Sequence, residues 1–136
     1  MSLQIVDMHH VDFKKHKHVR IDRRSRLWGN PFEMKNKNDE EERIEVLWKY
    51  ALHLLRNQKM RDAVPGLEGK ILACWCYPKN KCHGQILGYL LDHPGILESC
   101  TRSCIDRELV AEKIFEGLGW VRKKKHKQLT LSEVLG

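Results

Sequence analysis

No run of about eighteen apolar residues occurs in this chain, so nothing in it has the length and character of a membrane-spanning helix. The first residues also lack the basic-then-apolar layout of a secretory signal, and the expectation is an intracellular, cytoplasmic protein, in a host cytoplasm if viral. No internal repeat and no low-complexity segment divides the sequence. At 136 residues a second full domain does not fit, and a single compact domain over 1–136 can bury a core of its own without disulfide staples. The five cysteines are an odd number in a chain without an export signal, so they read as thiols, metal ligands or redox groups before they read as a disulfide framework.

Acidic residues are in deficit, 18 against 25 lysines and arginines, for a formal charge of +7. That balance makes polyanions such as nucleic acid or nucleotide phosphates plausible partners. The charge is also uneven. Lys14, Lys15, Lys17, Arg20, Arg23, Arg24 and Arg26 crowd one segment together with His16 and His18, and a second basic run spans 122–127. Between them lies an acidic patch, Asp39, Glu40, Glu41, Glu42 and Glu45. The run at 122–127 reads equally as solvated surface charge or as a polyanion contact. The arginines from Arg20 to Arg26 favour a phosphate or carboxylate role, because guanidinium forks suit such anions and the segment leads into a rigid turn.

Periodicity predicts strands over 3–8 and 19–22, then a break at Trp28-Gly29-Asn30-Pro31-Phe32, where glycine and proline punctuate regular structure. Asn38, with Glu41 three residues later, resembles a helix cap, and the acidic cluster suits the positive end of a helix over 39–56. Ile44, Leu47, Trp48, Ala51, Leu54 and Leu55 recur at three- and four-residue steps, so this helix docks one face on a core, and Trp48 is packing rather than a ligand platform. A short helix over 59–64 precedes the turn Pro65-Gly66, a buried strand covers 70–76, and a helix over 83–92 ends at Pro94-Gly95. Capping at Ser103 to Asp106 opens a helix through Phe115, with Ile105, Leu109, Val110 and Ile114 as its apolar face and Gly117 and Gly119 as its end. Residues 128–135 fit a strand or a short helix. The fold class is α/β, a small sheet with flanking helices, compatible with a Rossmann-like three-layer arrangement.

The chemistry concentrates in Cys74-Trp75-Cys76-Tyr77-Pro78 and Cys82-His83-Gly84, which place three sulfurs and an imidazole in one strand-to-helix turn. On a strand Cys74 and Cys76 point to the same side. With Cys82 and His83 at the start of the next helix, the four groups suit a tetrahedral zinc site, although the commoner spacing is C-x-x-C. Alternatively, the helix opening favours a thiolate at Cys82, with Lys79 and Lys81 beside it and His83 to orient a ligand or move a proton. A third reading makes Cys74 a small hydrophobe in the sheet and His83 a hydrogen-bonded cap. Cys100 and Cys104 read as ordinary helix residues, and His9-His10 and His16-x-His18 carry no site.

Taken together, Arg23-Arg24-Ser25 leading to Trp28-Gly29-Asn30-Pro31-Phe32, then Gly69-Lys70-x-Leu72-Ala73-Cys74-Trp75-Cys76-x-Pro78 and Cys82-His83-Gly84, resemble a domain-of-unknown-function family, number 4326, found in bacteria, phages and large viruses. The resemblance spans about 3–92 and leaves 93–136 as a helical, basic extension. It implies a small α/β domain in which the arginine-rich turn approaches the Cys/His loop, and it implies no established activity. Members often carry an acidic residue after Cys-His-Gly where this chain has Gln85, and Leu27 is an extra residue before Trp28.

The favoured expectation is a phosphate site for a nucleotide or nucleic acid, built from Arg23, Arg24, Ser25 and Asn30 with the amides at Cys82, His83 and Gly84. A hydrolase or transferase on that platform would use Cys82 or His83 as its active group. The competing expectation is a non-enzymatic zinc module, held by Cys74, Cys76, Cys82 and His83, that contacts nucleic acid through the basic segments. A purely structural or interaction protein is the third.

Overall fold

The structure is a computed structural model that describes residues 4–8, 18–74, 80–100 and 106–122. The expectations for His9-His10, 14–17, Trp75 to Lys79 with Cys76, Ser103 to Ile105 with Cys104, and 123–136 lie outside the described residues.

Among the described residues one sheet forms from β1 (Gln4–Asp7), β2 (His18–Arg20) and β3 (Ile71–Cys74), in the order β1-β3-β2. Both outer strands run parallel to β3, with Ile5 and Val19 each opposite Leu72. Parallel neighbours need long crossovers, and the one from β2 to β3 carries α1 (Glu40–Arg56), α2 (Gln58–Ala63) and a 3-10 turn at Val64–Leu67. Leu72, Ala73 and Cys74 are all buried, so both faces of the central strand are covered, as the apolar run predicts. The class is α/β, a small parallel sheet with flanking helices.

Helix α1 follows its sequence pattern closely: Ile44, Leu47, Trp48, Ala51, Leu54 and Leu55 are buried. Its cap is Asp39, not Asn38, because the Asp39 carboxylate accepts from the amides of Glu41 and Glu42 while Asn38 donates its own amide to Asn36 Oδ1. Helix α3 (His83–Asp92) has the predicted bounds and ends before Pro94-Gly95, which also opens a further helix, α4 (Pro94–Ser99), since proline is pre-set for the first helical position. In α5 (Arg107–Leu118) the cap is Asp106, and the helix ends at Gly119 (φ 74°) with Gly117 inside it. Leu109 faces solvent at 53% exposure, so the apolar face of α5 runs instead through Ala111, Ile114 and Phe115.

Helix α5 packs against both α1 and α3. Trp48 stands edge-on to Phe115 (5.4 Å), and Phe115 edge-on to Trp120 (5.2 Å). Arg122, first of the C-terminal basic run, lies 4.3 Å from the Trp48 ring centre and grips Glu45 with two bonds of 2.8 and 3.1 Å. That guanidinium is therefore committed to packing.

Candidate functional site

In a parallel sheet the carboxyl ends of all strands open on one side, where ligands bind in α/β folds. Here β2 feeds a bend from Ile21 to Phe32, and β3 delivers Cys74 beside the opening of α3. Ile21 extends the strand pairing by one bond, donating to Ala73 O at 3.0 Å.

The bend is closed by its own backbone. Ser25 N donates to Asp22 O (2.9 Å), Gly29 N to Ser25 O (3.0 Å), and Trp28 N to Ser25 Oγ (2.9 Å). A Cβ on Gly29 would sit 2.5 Å from Ser25 O and 2.7 Å from Asp22 O, so the close backbone approach requires glycine there. Trp28 is buried, and its carbonyl accepts the Tyr50 hydroxyl at 2.8 Å. Asn30 Oδ1 accepts from Phe32 N (2.9 Å), while Arg23 donates to the carbonyls of Asn30 (2.6 Å) and Phe32 (2.9 Å). Arg20 forks onto Asp22 (2.9 and 2.6 Å), and that carboxylate pushes the guanidinium pKa further up. Of the arginines expected to hold anions, Arg20 already holds an internal one, Arg23 braces the turn, and Arg24 and Arg26 are exposed.

Opposite the bend, Cys74 Sγ, Cys82 Sγ and a His83 ring nitrogen lie within 4.8 Å of one another, all buried, a group that could hold a metal ion. His83 Nε2 is 2.6 Å from Ile21 O. A carbonyl only accepts, so in the neutral ring Nε2 carries the proton and the Nδ1 lone pair faces Cys82 Sγ at 3.9 Å. The ring stands edge-on to Tyr50 at 4.7 Å. Burial first, then the sulfurs of Cys82 and Cys74, push the Tyr50 pKa well up, so its hydroxyl stays a neutral donor.

Cys82 is the N-cap of α3: its sulfur accepts from Gly84 N (3.4 Å), and Gln85 Oε1 returns to Cys82 N (2.9 Å). Gln85 thus supplies the acceptor that an acidic side chain would supply at the same place. A Cβ on Gly84 would come 2.8 Å from Ile21 Cδ1 and 3.2 Å from Ile5 Cδ1, so its hydrogen lets the helix opening seat on the ends of the strands.

A cleft of about 1000 Å³ joins the two halves. Asp22, Arg23, Arg24 and Asn30 line it from the bend, and Cys74, Lys81, Cys82 and His83 from the sheet end and α3. Lys37, Glu40 and Arg43 close a third side; Glu40 pairs with both Lys81 and Arg43, and Arg43 donates to Lys37 O (2.6 Å). Glu42 ties down that wall by accepting from Lys35 N (2.6 Å) and Asn36 N (2.9 Å), which lowers its carboxyl pKa.

The structure therefore brings Arg23, Arg24, Asn30, Cys74, Cys82 and His83 together, whereas Ser25 and Gly84 sit behind the lining, holding the bend and the helix opening. Sequence reasoning missed Tyr50, Lys37 and Arg43. Tyr50 lies on the apolar face of α1 between Leu47 and Leu54, where a buried hydroxyl calls for a partner, but the Ile21 carbonyl that fixes His83 has no sequence signal.

A family model described as a domain of unknown function, DUF4326, matches residues 6–93, and the chain belongs to that family. No curated protein and no solved structure matches.

Proposed function

We propose, for this member of the DUF4326 family, that the cleft binds the phosphate of a nucleotide or of a nucleic acid. Arg23, Arg24 and Asn30 would face it from the bend, and the opening of α3 at Cys82 and His83 from the other side, with Gly84 seating that opening from behind. One observation carries this reading: two anion-favouring elements about sixty positions apart in sequence line one cleft. Ser25 serves by holding the bend that presents the arginines. Reaction at a bound phosphate would fall to Cys82 or His83, which line the cleft at the opening of α3. The test is thermal shift against inorganic pyrophosphate, nucleoside phosphates and short oligonucleotides at low salt, where electrostatic binding is strongest. Stabilisation is expected, weakened in Arg24→Ala; no shift with any phosphate compound removes the reading.

A second reading, compatible with phosphate binding but not with Cys82 or His83 as the reacting group, makes Cys74, Cys82 and His83 a zinc centre on the cleft. Zn–S and Zn–N bonds of about 2.3 and 2.0 Å at a tetrahedral angle set sulfur and nitrogen about 3.5 Å apart. Cys82 Sγ and His83 Nδ1 stand at 3.9 Å. The Nε2–H bond to Ile21 O is the outer-shell contact that orients metal-bound histidines. The Gly84 amide and the positive end of α3 favour negative charge on the Cys82 sulfur. Cys76 is the fourth ligand this reading takes from the sequence. Metal analysis of freshly purified protein should find one zinc per chain, lost in Cys82→Ser and weakened in Cys76→Ser. Metal-free protein with intact phosphate binding would remove the zinc reading alone.

A further inference from the structure

A second concavity, of about 780 Å³, lies on the outer side of α1 and α2. Its floor is apolar, Phe32 and Leu52, and its rim carries Lys49, Arg56 and Lys59 together with His53. Among the described residues no aspartate or glutamate lines it. Arg56 reaches one acid outside, Glu108 at 3.7 Å, with both side chains more than half exposed, a contact that water and salt weaken readily. Phe32 stands edge-on to His53 with ring centres 5.9 Å apart.

The bend links this groove to the cleft. Phe32 lines the groove, and its carbonyl accepts from Arg23, which lines the cleft. An aromatic floor under a cationic rim is the combination that binds single strands, where bases stack and phosphates meet positive charge. A mononucleotide in the cleft would leave the groove idle; a strand would occupy both.

We infer that the ligand of the cleft is a single-stranded nucleic acid, whose terminal phosphate enters between Arg23, Arg24 and the opening of α3 while the following nucleotides lie in the groove. Their phosphates pair with Lys49, Arg56 and Lys59, and a base stacks at Phe32. This rests on the phosphate reading of the cleft and adds to it the length of the substrate.

Fluorescence anisotropy with 5′-phosphorylated, labelled oligothymidylates of about two and about twelve nucleotides tests it, with the full chain at several salt concentrations. Affinity should rise with length. Three groove cations should add about −2 to the log–log salt slope of the longer ligand relative to the shorter. Charge reversal in Lys49→Glu/Lys59→Glu should weaken the longer ligand by about tenfold or more and leave the shorter unchanged. Phe32→Leu, which keeps the apolar floor without the stacking face, should weaken the longer ligand by about fivefold or more. Equal affinity at both lengths, or a double variant that binds the longer ligand like the parent, overturns the inference while the cleft reading stands on the shorter. Equal competition by polyglutamate against the longer ligand overturns it in favour of an acidic protein. Failure of every phosphate compound to bind defeats the cleft reading and the inference with it.

Discussion

Replacing Gly29 by alanine asks whether the bend is as tightly built as its geometry says. The new methyl would lie 2.5 Å from Ser25 O, 2.7 Å from Asp22 O and 3.1 Å from Arg23 Cα, and all three are backbone atoms that no rotamer change can move aside. The bend has to open by several tenths of an ångström, which strains the bonds from Gly29 N to Ser25 O and from Ser25 N to Asp22 O. Overpacking of this kind costs about 1–3 kcal/mol. A weakened hydrogen bond adds about 0.5–1.5 kcal/mol, and displacement of the Trp28 carbonyl would leave the buried Tyr50 hydroxyl short of its acceptor. Together the loss is about 2–4 kcal/mol, and at about 4 °C per kcal/mol for a chain of this size the midpoint of thermal unfolding falls by roughly 8–16 °C. Gly95→Ala is the control, since nothing lies within 4 Å of its added methyl and a better helix former replaces glycine in α4; it should be neutral or stabilising by up to about 1 kcal/mol. Calorimetry gives the midpoints, and the phosphate titration, run below the variant's midpoint, reports whether Arg23 and Asn30 keep their places. A Gly29→Ala protein with unchanged midpoint and unchanged phosphate affinity would refute the tight bend and its role in the site.

Glu42 has a lowered pKa in the folded chain because the amides of Lys35 and Asn36 donate to its carboxylate. The stability it contributes is present above its unfolded pKa, near 4.5, and is lost as pH falls through the lower folded value. Thermal midpoints of the parent and Glu42→Gln should thus differ at neutral pH and converge in acid; a gap independent of pH would contradict the assignment. Arg122→Ala removes a two-pronged bond to Glu45 and the stacking on Trp48, and should cost about 1–2 kcal/mol in urea unfolding with nucleic-acid affinity unchanged. Unchanged stability with weakened binding would return Arg122 to the role of a polyanion contact.

What could be read from the chain follows from which interactions are local. The bounds of α3 and the buried face of α1 rest on spacing and punctuation within one segment, and both were legible. The cap of α1 moved from Asn38 to Asp39 because two adjacent residues offered similar acceptors and Asn36 engaged the first. Pro94 ends α3 as its punctuation predicts, but that it also begins α4 was not legible, because the same ring serves both ends. The Cys/His turn was visible as a concentration of ligands, but the proton position on His83 depends on a carbonyl 62 residues earlier. The cationic groove was hidden for the same reason, since Phe32 and Lys59 meet only once α1 has folded back beside the bend.

Likeness to the family stops at residue 93, yet the hydrophobic interior does not. Ala111, Ile114, Phe115 and Trp120, all downstream of that limit, are buried against α1 and α3. Trimming the gene to the matched stretch would strip Trp48 and Tyr89 of part of their cover and leave a greasy hollow open to water. The folding unit for expression work therefore runs at least to Arg122, and any chain carrying the matched stretch alone would need some other apolar lid over that hollow.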